Sequence, residues 1–266
     1  MIDKEKFNKN FFLCNNWLQL VVKIPSSLYE KRLKEIAIFL HILQQKHKIK
    51  NWFFLNKKGK VLFKIEIVKK YKNEITDLLS SLLNNKEIKI DIFEPEIFQF
   101  GGEVGWKITK KYFNKMSYLF AQNKKKSCKK DFLALIIIFD LFLGATNDSW
   151  EAWDILQRLT KIRKNNEAKK IKNNKFYKHT ALILTEPKNF YFKETQNLKL
   201  IKEIININLT LIKDLEKNKF DLLFSKRKIL PYHAIFIFNM LLVLPKQQEE
   251  IIDALNYFFN QNKYDL

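Results

Sequence analysis

Cysteine, glycine and proline are scarce in this sequence, at two, five and five of 266 residues. Cys14 and Cys128 make neither a disulfide framework nor a metal cluster, so both are read as reduced thiols and no cofactor is expected. So little glycine and proline favours long regular elements joined by short turns over an all-β sandwich. Long hydrophobic runs are also missing. The longest, Phe132 to Leu143, contains Asp140 and is too short to span a bilayer. Met1 to Asn16 mixes charges with Phe and Leu and has no clean apolar stretch ending in a small-residue cleavage site. A cytoplasmic protein without membrane contact is the expectation.

Hydrophobic residues make up 47% of the chain, and Phe alone occurs 24 times, enough for a substantial core. The formal net charge is +21. It comes mostly from lysines spread along the whole chain beside much Asn, Ile and Phe, as an A/T-rich coding sequence would give. Direct nucleic-acid binding is therefore not the expected role. Trp52-Phe53-Phe54 beside Lys57, Lys58 and Lys60 is the one place where aromatics and basic residues interleave as on an RNA-binding sheet. A basic surface of this kind also steers an acidic peptide without base readout.

Hydrophobic periodicity orders the chain. Trp17 to Ile24, interrupted by Gln19 and Lys23, reads as a strand ending at Pro25. Ser27 can cap a helix whose apolar face includes Leu33, Ile36, Leu40 and Leu43. Trp52 to Leu55 and Val61 to Ile67 read as a hairpin joined by Asn56 to Lys60, with Lys64 and Glu66 on one strand face. A short helix around Ile75, Leu78, Leu79 and Leu82 and a half-buried strand from Glu87 to Phe93 follow. The order β-α-β-β-α-β predicts a split, ferredoxin-like arrangement. After Gly101-Gly102 the pattern turns helical: around Val104 to Leu119, Phe132 to Leu143, Trp150 to Leu159 with Asp148 or Ser149 as cap, Leu198 to Leu215, and Leu230 to Phe259 divided by Pro245. Arg163 to Lys175 is polar and reads as a loop. The fold class is α+β: a single domain over residues 1–266, β-rich over 1–100, with a helical part over 101–266 packed on it.

The sharpest segment is Phe93-Glu94-Pro95-Glu96-Ile97-Phe98-Gln99-Phe100-Gly101-Gly102, where a strand gives way to a helix. A glycine pair at such a turn permits positive φ and close approach of a ligand or backbone. Carboxylates at i and i+2 on extended chain point to one side. They serve either as acid–base groups or as holders of neighbouring lysines and helix N-termini.

This segment resembles the signature of the C-terminal domains of lanthipeptide dehydratases and of their stand-alone, thiopeptide-type relatives: aromatic, Glu, Pro, Glu, a short gap, aromatic, Gly, Gly. In the same order along the chain, Trp52-Phe53-Phe54 with Val61 to Ile67 is similar to the family's aromatic strand and its Arg-rich neighbour. Trp150 to Arg163, with Trp153 and Arg158, is similar to a helix ending in Arg, and His233 to Leu244 with Asn239, then Gln248, to its aromatic-Asn helix. The chain departs from the dehydratases at Gln99, which replaces an Arg, and at Leu62, Lys64, Ile237 and Met240, where Arg or His is common. The missing Arg points to the stand-alone branch.

The resemblance implies elimination of glutamate from glutamylated Ser or Thr of a precursor peptide, leaving a dehydroamino acid. Such chemistry needs a base, an acid and a cation for the departing carboxylate. Glu96 and His233 are the candidate bases, Glu94 a further carboxylate, and Lys64 a point-charge substitute for a bidentate Arg. Gly101, Gly102, Trp106, Arg158 and Asn239 are the candidate substrate contacts, although a single aromatic on a helix such as Trp106 more often belongs to the core. The implied partners are a precursor peptide with an acidic leader and a separate glutamylating dehydratase, which would provide the sole link to tRNA. A homodimer also fits. The same scaffold serves pyridine-forming cyclases, and the lost Arg and His positions suit a catalytically silent peptide-binding partner.

Overall fold

The computed structural model describes residues 16–57, 59–71, 73–75, 77–78, 88–91, 93, 95–122, 129–163 and 198–260. Both cysteines, Glu94, His179, Leu79, Leu82 and the polar stretch beyond Arg163 lie outside them. The chain divides into two compact units, one of Met1–Glu96 with Lys110–Asn123 and one of Ile97–Thr109 with Lys124–Leu266.

The first unit is built on strands β1 (Trp17–Lys23), β2 (Ile49–Lys57), β3 (Lys60–Ile67) and β4 (Ile88–Asp91), with helix α1 (Tyr29–Gln45) between β1 and β2. The sheet order is β2-β3-β1-β4, and every neighbouring pair is antiparallel. β1 and β2 thus run the same way with β3 between them, the split arrangement the sequence predicts. The hairpin closes with Lys57 opposite Lys60 and Gly59 at φ +75°, a conformation glycine adopts without steric cost. Residues 73–75 and 77–78 are helical, where the short second helix is expected.

The cap expected from Ser27 is replaced by a 3-10 turn over Ser26–Leu28, and α1 starts from Leu28 with no side-chain cap. Alternation splits the sheet into two faces. Leu18, Leu20, Val22, Phe63 and Ile65 join Leu33, Ala37, Leu40 and Leu43 of α1 in one core cluster. The other face carries Trp17, Gln19, Phe53, Lys64 and Glu66.

Helix α2 (Gly102–Gln122) contributes residues to both units. Its C-terminal half closes the outer edge of β2. Asn114 Nδ2 donates to the Trp52 carbonyl at 2.8 Å, and the Phe54 amide donates to Ser117 Oγ at 3.1 Å. An edge strand otherwise leaves such groups open to pairing with another chain.

The second unit contains the start of α2 together with α3 (Lys130–Thr146), α4 (Ser149–Arg163), α5 (Leu198–Lys217), α6 (Lys226–Leu241) and α7 (Pro245–Phe259). Asp148 caps α4, its Oδ1 accepting the Glu151 amide at 2.9 Å. Helix α3 is buried almost all round, in keeping with an apolar sequence interrupted in its middle only by Asp140. Asp140 within it accepts from Asn208 Nδ2 of α5 at 2.7 Å, and the same amide reaches the Ile137 carbonyl at 3.1 Å. Pro231 lies inside α6, and Pro245 opens α7 at a position where a missing amide costs no bond.

Candidate functional site

In the first unit, one row of cross-strand partners brings Phe53, Lys64, Gln19 and Asp91 side by side on β2, β3, β1 and β4. Lys64 Nζ donates to Gln19 Oε1, and Gln19 Nε2 donates onward to Asp91 Oδ2 at 3.1 Å. The Lys64 ammonium also lies 4.1 Å from the centre of the Phe93 ring. Phe93 packs edge-on against Trp17 at 5.2 Å and Phe53 at 6.1 Å, so the cation stands on an aromatic floor.

Lys64 is only 7% exposed. Burial lowers its pKa to about 8, against the opposing pull of Glu96 and then Asp91. Glu96 reaches the surface, yet the packing around its carboxyl raises its pKa, with Lys64 and then Lys57 pulling the other way. The two groups thus influence each other, and their pKa values are displaced toward one another. Glu66, expected on the same strand face as Lys64, is engaged elsewhere: Lys110 Nζ donates to both its oxygens at 3.0 Å and Asn51 Nδ2 at 2.6 Å.

In the second unit the glycine pair adopts φ of +88° and +87°. The Gly101 and Gly102 amides donate to the Phe98 and Ile97 carbonyls, each at 3.0 Å. The chain itself makes the close approach. A Cβ on Gly101 would meet Ile229 Cδ1 at 2.7 Å, and one on Gly102 would meet Leu223 Cγ at 2.9 Å. Trp106 is buried against Phe100, at 5.7 Å between ring centres.

His233 is fully buried. Its Nδ1 pairs with the Ile229 carbonyl at 3.2 Å, which can only accept, so Nδ1 carries the proton. Nε2 then accepts the Thr109 hydroxyl at 3.1 Å. Burial holds the ring neutral, lowering its pKa to about 4. Asn239 is half-buried near the end of α6, its carbonyl accepting the Leu242 amide at 3.3 Å. Gln248 is buried and donates from Nε2 to the Val243 carbonyl at 2.7 Å.

Arg158 opens onto a cleft of about 350 Å³. Asp154, Gln157, Arg158, Lys161 and Ile162 line one wall at i, i+3, i+4, i+7 and i+8, a single face of α4. Lys228, Pro231 and Tyr232 from the first turns of α6 line the other, together with Phe98, Gln99 and Phe224. Arg158 Nε pairs with Asp154 at 3.1 Å. Phe98 is 65% exposed and meets Phe224 edge-on at 4.8 Å.

Sequence reasoning singled out Lys64, Glu96 and Arg158, but not Gln19, Asp91, Phe98, Lys161 or Lys228. The polar interruption of an apolar strand was the available signal for Gln19. The i, i+3, i+4 spacing was the signal for Lys161.

A split antiparallel sheet bearing a buried lysine relay, together with a helical unit opened by a double-glycine turn, defines an α+β protein of the ferredoxin-like kind with a helical extension. The chain belongs to the family described as lantibiotic biosynthesis dehydratase C-term, whose model matches residues 17–257. Membership places it among proteins of lantibiotic-type peptide biosynthesis. Comparison with curated proteins gives no match. Among solved structures, the chain is similar to the tRNA dependent lantibiotic dehydratase MibB from Microbispora sp. 107891, with 12% identity and a TM-score of 0.62. That match covers 94% of this chain and 28% of MibB. It is also similar to TsrL, at 12% identity and a TM-score of 0.49, over 94% of this chain and 95% of that one. No described helix is long and apolar enough to cross a membrane.

Proposed function

We propose that the chain eliminates glutamate from glutamylated Ser or Thr residues of a precursor peptide, with a separate partner supplying the glutamylation. The observation that carries this reading is the mutual influence of Lys64 and Glu96, the one with its pKa lowered to about 8 and the other with its pKa raised. Paired groups displaced in this way suit acid–base work near neutral pH. Glu96, as carboxylate, takes the α-proton; its raised pKa makes it a better base. Lys64, as ammonium, holds the glutamate carboxylate as the Cβ–O bond breaks and the α-carbanion electrons form the double bond. His233 supports α6 from the core.

The test is incubation with a synthetic peptide carrying glutamylated Ser, followed by mass spectrometry. Loss of glutamate is expected, and Glu96→Gln and Lys64→Met should each abolish it. Elimination that survives both substitutions would sink the assignment.

One observation favours a second reading, a peptide-binding partner without chemistry of its own. His233 has both ring nitrogens occupied and no exposed surface. Peptide binding with unchanged mass would select that reading.

A further inference from the structure

We propose that the cleft between α4 and the first turns of α6 is a docking site for an acidic peptide segment carrying an aromatic or large apolar side chain. The inference rests on the reading that this chain works on a peptide, and it assigns a place and a chemistry to the recognition. Charge supplies the first argument. Arg158, Lys161 and Lys228 line the cleft against a single acid, Asp154, which Arg158 already engages at 3.1 Å. Among the described residues neither Lys161 nor Lys228 makes an ion pair, and both are exposed. Two ammonium groups without a carboxylate partner beside a concave surface complement carboxylates.

The apolar floor supplies the second argument. Phe98, at 65% exposed, leaves a large ring in solvent beside Phe224 and Tyr232. Lys228 Nζ lies 5.2 Å from the centre of the Phe224 ring. A cation and an aromatic surface side by side suit a side chain that is apolar next to one that is acidic. The volume, about 350 Å³, accepts a few side chains of a peptide. Phe98 and Phe224 meet at 88°, so they form no flat platform on which successive bases could stack, and a peptide fits better than single-stranded RNA.

Fluorescence anisotropy with a short dye-labelled peptide, glutamates flanking one phenylalanine, tests the proposal on the full chain. Lys161→Glu with Lys228→Glu should weaken binding by about tenfold or more. Phe98→Ala should weaken it on its own, and a peptide with Gln for Glu should fail to bind. Lys111→Glu with Lys115→Glu, exposed positions on α2 giving the same change in net charge, should leave affinity within about twofold. Thermal melts would establish that each variant is folded. Equal weakening by both double variants, equal binding of the Gln peptide, or displacement of the peptide by an RNA oligonucleotide that itself depends on Lys161 and Lys228 would overturn the site. Elimination assays run in parallel separate the two claims. Site-specific binding without elimination sinks the proposed reaction alone, and elimination without cleft binding sinks the docking site alone.

Discussion

The ammonium of Lys64 stands 4.1 Å from the centre of the Phe93 ring while its hydrogen bond runs to Gln19, so an apolar ring and a neutral amide form its immediate surroundings. Burial, the largest cause, takes its pKa to about 8. Phe93→Ala should admit water and move that pKa upward toward 10.5, since relief of desolvation outweighs the lost cation–π attraction. Titration of the Lys64 side chain by NMR checks this, and a pKa that stays put or falls would refute it.

The same lowered pKa predicts the pH dependence of elimination. In the proposed elimination Lys64 must be protonated to hold the leaving carboxylate, so that activity should decline as pH rises through about 8. Lys64→Arg stays charged throughout and should retain activity at alkaline pH. A pH–rate profile of the two proteins decides it; identical alkaline limbs would exclude Lys64 as the cation.

His233 couples stability to acid. Its pKa falls from 6.5 to about 4 in the folded protein, so the unfolded chain binds the extra proton. The stabilisation from a neutral imidazole is complete above pH 6.5 and is lost as pH falls toward 4, about 3 kcal/mol in all. Urea melts between pH 7 and 4.5 should show a steeper loss for the native protein than for His233→Gln, whatever the variant's starting stability.

Gly101→Ala should destabilise on the order of 2–4 kcal/mol, because φ is +88° and the new Cβ would fall 2.7 Å from Ile229 Cδ1. Gly101→Ala combined with Ile229→Val should recover part of the loss by removing the struck methyl. Chemical denaturation measures both, and no recovery would show that backbone strain accounts for the whole effect.

Asn208→Leu should cost about 2–3 kcal/mol, since it strips the Asp140 carboxylate and the Ile137 carbonyl of a shared donor. Burial already raises the Asp140 pKa, and the bond from Asn208 opposes that rise. Without Asn208 the folded state favours protonated Asp140 still more. The defect should therefore be largest at neutral pH and shrink as pH falls below the raised value, readable in melting temperatures.

Strand and helix order was legible because alternation in Trp17 to Ile24 and the helical spacing of Leu33, Ile36, Leu40 and Leu43 reflect faces buried on one side. The lysine relay was half legible. Lys64 and Glu66 share a strand face by periodicity alone, but whether Lys64 meets Gln19 or Trp17 depends on register, which the strand sequences do not state. Trp106 reads more readily as core than as groove lining from sequence, and packing against Phe100 places it in the core. Lys161 and Lys228 belong to helices far apart in sequence, so their shared cleft follows from tertiary packing and not from local pattern.

Asn114 and Ser117, by capping the Trp52 carbonyl and the Phe54 amide, also decide how this sheet can meet another polypeptide. A peptide cannot add as a fifth strand beside β2 without first displacing α2 side chains. Backbone-to-backbone recognition at the β2 edge is thereby closed off. For Phe54 this predicts an amide that exchanges with solvent as slowly as one in the sheet interior, although its strand is an edge.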